Sequence, residues 1–209
     1  VTGNEFAEKL VEQVLNQDAE VECAEVLSIR DGDIKTVVTD SGEFEGKAVI
    51  VATGAKHRLL GLENEENLVG EGISFCAVCD GAFYEGKTVA VIGGGNSALQ
   101  EAILLSETSK KVYVVQNLDF LTGEKKLQEQ LSQKENVEII LGATVESIVG
   151  DDTLQGIVIK KTADGREITL TVDGMFVAIG LVPQNEAFSE LIGLDERGYA
   201  DGKQNRNRF

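Results

Sequence analysis

The feature that most constrains the fold is Gly93-Gly94-Gly95-Asn96-Ser97-Ala98, set between the apolar run TVAVI and the amphipathic run SALQEAILLS. A G-x-G-x-x-A between a strand and a helix is the dinucleotide-binding fingerprint. Gly93 lets the chain turn sharply, Gly95 lets a pyrophosphate approach the backbone, and Ala98 lets helix and strand pack closely. The helix start supplies free N–H donors to the phosphates. Without a ligand the same glycines would be a plain turn.

The flanking pattern supports this reading. Strands are predicted at 88–92, 111–115 and 137–141, with helices at 97–106 and 123–133 between them, a βαβαβ unit with a parallel sheet. Three alternating segments at 144–149, 155–161 and 167–172 follow, split by Asp151-Asp152 and Asp164-Gly165, and read as an antiparallel meander. A strand at 174–179 ends at Gly180. The expected fold class is α/β, a Rossmann-like three-layer nucleotide-binding domain carrying that meander, plus part of a second domain.

Upstream, residues 3–17 read as an amphipathic helix with Asn4 as N-cap and a docking face of Phe6, Leu10, Val11, Val14 and Leu15. Alternating segments over 21–39 turn at Asp31-Gly32-Asp33. A second turn at Asp40-Ser41-Gly42 leads to KAVIVATGA (47–55), a continuous apolar run expected to be a strand buried on both faces. Residues 56–72 lose periodicity and read as a linker, with Glu63, Glu65 and Glu66 as a solvated face. The polar stretch DGKQNRNRF (201–209) is expected to fray.

Charge and composition exclude several partners. With 19 basic and 36 acidic residues the net charge is −17, a field that repels nucleic acid and anionic membrane surfaces. The longest apolar runs are strand-sized, well short of the roughly 20 residues that span a bilayer. Three cysteines make no disulfide framework, which points to a reducing, cytoplasmic compartment and to a close Cys pair with a chemical task.

That pair is Cys76-Ala77-Val78-Cys79-Asp80-Gly81. Two thiols at this spacing can close a disulfide within one helical turn. At a helix start the Cys76 thiolate is favoured, and Asp80 could pass a proton to or from a departing thiolate. Two other readings stay open: half of a zinc site completed by Cys23 and His57, and inert buried cysteines. Cys23 reads as a small core residue and His57 as a loop residue. At the end of the second strand, where an acid would hold a ribose or an Arg a 2′-phosphate, stand Gln116, Asn117 and Asp119.

CxxCDG a dozen residues before GGGNSA, with VATGA upstream and FVAIGLVPQN downstream, resembles the low-molecular-weight thioredoxin reductases over residues 1–198. The resemblance implies a flavin domain interrupted by an NADPH domain that carries the redox cysteines. Residues 1–68 would then belong to the FAD-type domain, 69–182 to the NAD(P)-type domain, and 183–209 to the returning FAD-type segment. It further implies that Cys79 faces the flavin, that Cys76 attacks the disulfide of a thioredoxin-like protein, and that Asp80 is the acid/base. Gly93, Gly94, Gly95, Asn96, Ser97 and Ala98 would hold the dinucleotide, Ile179 and Gly180 would lie near its adenosine, and Thr53, Gly54 and Ala55 would touch FAD, with Asn185 closing the returning segment.

The family's first flavin fingerprint and its closing glycine-aspartate motif have no counterpart between Val1 and Phe209. The expectation is a fragment that holds FAD weakly, shows little activity alone, and retains a homodimer contact only in part. The family's basic HRR is replaced by Gln116-Asn117-Leu118, and its next Arg by Thr122, so NADPH should lose its advantage over NADH. Two alternatives follow: a parent that draws on NADH or reduced ferredoxin, and a non-catalytic dinucleotide-binding module.

Overall fold

The structure, a computed structural model, describes residues 2–200. Contacts divide the chain into two units, one running to Gly54 and resuming at Pro183, the other spanning Ala55–Val182.

The first unit opens with α1 (Gly3–Leu15). Its N-cap is Thr2, not Asn4: the Thr2 hydroxyl accepts the Glu5 N–H at 3.3 Å and the Glu5 carboxylate accepts the Thr2 N–H at 2.8 Å. This reciprocal box satisfies two N-terminal donors, which Asn4, one residue inside the helix, is not placed to do. The expected docking face stays open, for α1 buries no residue and Phe6, Leu10, Val11, Val14 and Leu15 are exposed.

Strands β1 (Val26–Arg30), β2 (Lys35–Thr39) and β3 (Glu43–Gly46) form an antiparallel sheet in that order. The turn falls at Asp31–Asp33 as expected, where Asp31 Oδ1 accepts the Gly32 N–H at 3.0 Å and the Lys35 ammonium at 2.8 Å. The apolar run after β3 differs from expectation. Residues 48–54 take no strand conformation, and Ile50 is 92% exposed. A run of this composition becomes a central strand only when neighbours on both sides take up its N–H and C=O groups, and among the described residues β1, β2 and β3 pair only with one another. Cys23 is likewise exposed rather than in the core, because the strand it was expected to join begins only at Val26.

The second unit begins with β4 (Ala55–His57). The following segment is more ordered than a linker. Glu65 is buried, not on a solvated face, and its carboxylate accepts the N–H groups of Leu60 at 2.9 Å, Gly61 at 2.8 Å and Leu62 at 3.2 Å. Three charge-assisted bonds close this loop in place of a regular element. A single 3-10 turn (Glu66–Leu68) leads to β5 (Ile73–Ser74) and the short helix α2 (Ala77–Asp80), with a second 3-10 turn at Gly81–Tyr84.

The βαβαβ unit follows as β6 (Thr88–Ile92), α3 (Asn96–Ser106), β7 (Lys111–Gln116), α4 (Lys125–Ser132) and β8 (Val137–Leu141). The meander is β9 (Ala143–Val149), β10 (Gly156–Lys161) and β11 (Glu167–Thr171), antiparallel throughout. Then come β12 (Gly174–Val177) and β13 (Leu181–Pro183), which pairs with β4. The central sheet is parallel in the order β5-β12-β6-β7-β8.

Period-two alternation along β6 explains the two cores. Val89 and Val91 pack with Leu99, Ala102 and Leu105 of α3, whereas Ala90 and Ile92 pack with Ile157, Ile159 and Leu170 of the meander. Helices cover one face of the sheet and the meander the other, which is why TVAVI reads as an unbroken apolar run. The α/β, Rossmann-like three-layer class is the one expected from the sequence.

Candidate functional site

Strand order fixes where a ligand can sit. The chain leaves β6 toward β7 and β8 on one side and returns through β12 on the other, so the sheet switches direction at the C-terminal end of β6. Crevices open at such points in parallel sheets. A cavity of about 710 Å³ lies there, floored by Gly93, Gly94 and Gly95.

Gly93 has φ +129°, and a Cβ on it would stand 2.5 Å from the Ala178 carbonyl oxygen and 3.3 Å from the Ala98 Cβ. Glycine is therefore required for the turn itself. Gly95 differs, since a Cβ there would meet nothing nearer than Thr122 Oγ1 at 3.8 Å. Its bare face looks into the cavity, which suits a pyrophosphate and a nicotinamide dinucleotide. Asn96 fixes the turn against α4, its Oδ1 accepting the Glu124 N–H at 2.7 Å and its Nδ2 donating to Glu124 Oε1 at 3.1 Å.

Of the residues singled out in the sequence, Gly93 to Ser97, Gln116, Asn117, Ile179 and Gly180 all line this cavity. Ala98 lies beneath it, fully buried. Gln116, at the end of β7, is buried and donates weakly to the Phe120 carbonyl at 3.4 Å. Arg58 is the one cation among the lining residues. Arg58 and Ala143 to Val145 carry no signal in the sequence; the latter open β9, one residue beyond the end of β8.

Thr53, Gly54 and Ala55 do not line the cavity. Thr53 Oγ1 donates to Asn185 Oδ1 at 3.4 Å, Gly54 O accepts the Gln184 N–H at 3.2 Å, and the Asn185 side chain donates to the Gly198 carbonyl at 3.0 Å. All three of Thr53, Gly54 and Ala55 are exposed.

Cys76 and Cys79 are joined by a disulfide across α2. Cys76 is the N-cap of that helix, and the Cys79 N–H donates to its Sγ at 3.2 Å. Cys79 is exposed and Cys76 half-buried. Asp80, the next residue, accepts the Ser74 hydroxyl at 2.6 Å. Burial, then the negative charges of Asp80 and Glu71, push the Tyr84 hydroxyl up. His57 stacks on Phe75, directly before Cys76, with ring centroids 4.7 Å apart. Among the described residues no three His, Cys, Asp or Glu side chains gather as a metal-ligand set, and no helix is long and apolar enough to cross a membrane.

One further carboxyl is perturbed. Glu101, on α3, is raised to about 7 by burial, and its Oε2 is buried without a hydrogen-bond partner among the described residues. The folded state holds this proton more tightly than the unfolded chain, so the stability it contributes is complete below the unfolded value of 4.5 and is lost as pH rises through about 7. Urea unfolding should show Glu101→Gln gaining about 1–2 kcal/mol on wild type between about pH 5 and pH 8, a figure discounted for partial solvation.

Residues 2–205 match the family described as pyridine nucleotide-disulphide oxidoreductase. The chain belongs to that family, on its thioredoxin reductase branch. It is 39% identical over 201 residues to a thioredoxin reductase of Listeria monocytogenes, covering 95% of this chain and 63% of the relative. A bifunctional thioredoxin reductase/thioredoxin of Mycobacterium leprae is 38% identical over 95% of this chain and 44% of its own length. Among solved structures, thioredoxin reductase from Lactococcus lactis superposes with a TM-score of 0.75 at 35% identity, over 96% of this chain and 67% of that one. The chain thus spans about 63% of the length of the Listeria enzyme.

Proposed function

We propose that this protein is a thioredoxin reductase-like disulfide oxidoreductase in which reducing equivalents from a nicotinamide dinucleotide pass by way of FAD to the Cys76–Cys79 disulfide and from there to a thioredoxin-like protein. One observation carries the reading: a closed CxxC disulfide and a glycine-turn cavity at the sheet's switch point occupy one compact unit. The fusion of reductase and thioredoxin in the Mycobacterium relative supports the choice of partner. In this reading residues 69–182 are the NAD(P)-type domain, and 1–68 with 183–209 are parts of the FAD-type domain. The protein works in a reducing, cytoplasmic setting.

The dinucleotide supplies a hydride, that is two electrons, when bound. Gly95 lets the pyrophosphate approach the backbone, while the Gly93 N–H stays on the Val115 carbonyl at 2.9 Å and holds the turn, and Ile179 and Gly180 flank the adenosine. In the reduced pair Cys76 attacks the partner's disulfide, Cys79 resolves the mixed disulfide, and Asp80 gives and recovers the proton. By itself the 209-residue chain is expected to show little NADH- or NADPH-driven turnover, because Thr53, Gly54 and Ala55, the residues that would touch FAD, are exposed and hold it only weakly.

The cavity favours NADH over NADPH as the donor. Neither Gln116, Asn117, Leu118 nor Thr122 carries the positive charge that a 2′-phosphate needs, and Arg58 is the sole cation in the lining. Fluorescence titration of the chain with each dinucleotide tests this. NADH should bind at least as tightly as NADPH, and NADPH binding about tenfold tighter, a difference of about 1.4 kcal/mol, would contradict it. Binding of neither dinucleotide would instead favour a protein electron donor such as reduced ferredoxin.

A further inference from the structure

Ser74 takes no part in the exchange itself, yet it is a buried polar side chain hydrogen-bonded to Asp80 and Cys76. It sits on β5, paired in register with fully buried Phe176 of β12. Only 4% of it is exposed. Its hydroxyl makes two bonds: it donates to Asp80 Oδ2 at 2.6 Å and accepts the Cys76 N–H at 3.1 Å. The first closes the loop from β5 through both cysteines to the end of α2, and the second ties down the backbone of Cys76 itself.

The chemistry of a hydroxyl makes this arrangement directional. It has a single proton to donate, and the Cys76 N–H occupies one of its lone pairs, so the proton is committed to Oδ2. Oδ2 can accept that bond whether Asp80 is ionised or neutral. A proton on Asp80 therefore resides on Oδ1, the oxygen outside this bond.

We propose that Ser74 is a positioning residue for the disulfide exchange: by holding Asp80 through Oδ2 it presents Oδ1 to the sulfurs as the proton-carrying oxygen. The proposal rests on the assignment of Asp80 as the acid/base. The Cys76 thiolate forms a bond to one sulfur of the partner's disulfide, the partner's S–S bond breaks, and its electron pair leaves on the second sulfur, which takes the proton from Oδ1. The Cys79 thiol then attacks Cys76 Sγ and returns its own proton to Oδ1. The Cys76–Cys79 disulfide re-forms, and the partner's first sulfur departs as a thiolate that solvent protonates. Two electrons pass from the Cys76/Cys79 dithiol, which is oxidised, to the partner's disulfide, which is reduced.

Leaving-group basicity supplies the test. An aliphatic thiolate is a poor leaving group and needs the proton, whereas an aromatic thiolate leaves without it. The full chain is reduced, freed of reductant, and reacted with hydroxyethyl disulfide and with an aromatic nitrobenzoate disulfide. Ser74→Ala should slow the aliphatic reaction about tenfold, the scale of one charge-assisted hydrogen bond, and leave the aromatic one within about twofold. Ser74→Thr, which keeps the hydroxyl, should recover most of the loss, and Ser74→Ala should add nothing in an Asp80→Asn background. If Ser74→Ala slows both reactions equally, or neither, the positioning role is overturned while the Asp80 assignment stands. If Asp80→Asn itself fails to separate the two disulfides, the assignment falls and the Ser74 proposal with it.

Discussion

Replacing Gly93 by alanine is expected to cost about 3 kcal/mol of stability or more and to abolish dinucleotide binding, because the turn cannot accept a side chain. Two effects add. The residue lies at φ +129°, where an L side chain is strained, and the new Cβ would stand 2.5 Å from the Ala178 carbonyl oxygen. That oxygen cannot retreat freely, since Ala178 directly follows β12 and its N–H donates to the Ile92 carbonyl at 2.9 Å. Relief would mean parting β12 from β6, and with them the floor of the cavity. Gly95→Ala is the matched control. Its φ of −85° suits alanine, and the nearest atom to the added carbon is Thr122 Oγ1 at 3.8 Å. Unfolding in urea should show a change within about 0.5 kcal/mol for Gly95→Ala, while dinucleotide affinity drops about tenfold or more as the methyl group fills the approach of the pyrophosphate. Equal stability losses in the two variants would mean that the turn is not built as described.

The second large effect concerns the sulfurs. Cys76→Ser should lower the rate of exchange with a protein disulfide at least about a thousandfold, since the serine hydroxyl cannot replace a thiolate as nucleophile. Cys79→Ser leaves Cys76 able to attack but removes the group that resolves the product. The reaction should stop at the mixed disulfide after one event per chain, and quenched-flow assays with thiol alkylation distinguish the two. The free Cys23 is exposed, so Cys23→Ser should leave both behaviours unchanged.

The Rossmann-like half of this architecture was legible because its signals are local and reinforce one another. TVAVI, the glycine turn and SALQEAILLS each predict their own element, and together they permit a parallel sheet and little else. The meander was legible for the same reason, its turns being marked by Asp151-Asp152 and Asp164-Gly165. KAVIVATGA was not, because a continuous apolar run becomes a strand only through neighbours that lie elsewhere in the chain, and residues 48–54 take no strand conformation in the described structure. Glu65 was read as surface because three acidic residues in four look solvated. Only the fold turns the N–H groups of Leu60, Gly61 and Leu62 onto one of them.

The candidate site divides along the same line. Cys76, Cys79 and Asp80 stand in one motif, and Gly93 to Ala98 in another, so both could be found by eye. Ser74 could not, as a serine two residues before a cysteine carries no signal until β5 pairs with β12 and brings its hydroxyl against Asp80. Ala143 to Val145 reach the cavity through the order of strands in the sheet, and Arg58 through the bond from its N–H to the Gly180 carbonyl at 3.0 Å.

Whether Cys76 and Cys79 form a working redox pair for a thioredoxin-like partner can be read from covalent trapping. The reduced Cys79→Ser chain is mixed with an oxidised thioredoxin-like protein, and the products are resolved by non-reducing mass spectrometry with peptide mapping. A single adduct joined through Cys76 should form, and it should be absent from the Cys76→Ser chain. No adduct, or one joined only through Cys23, would contradict it.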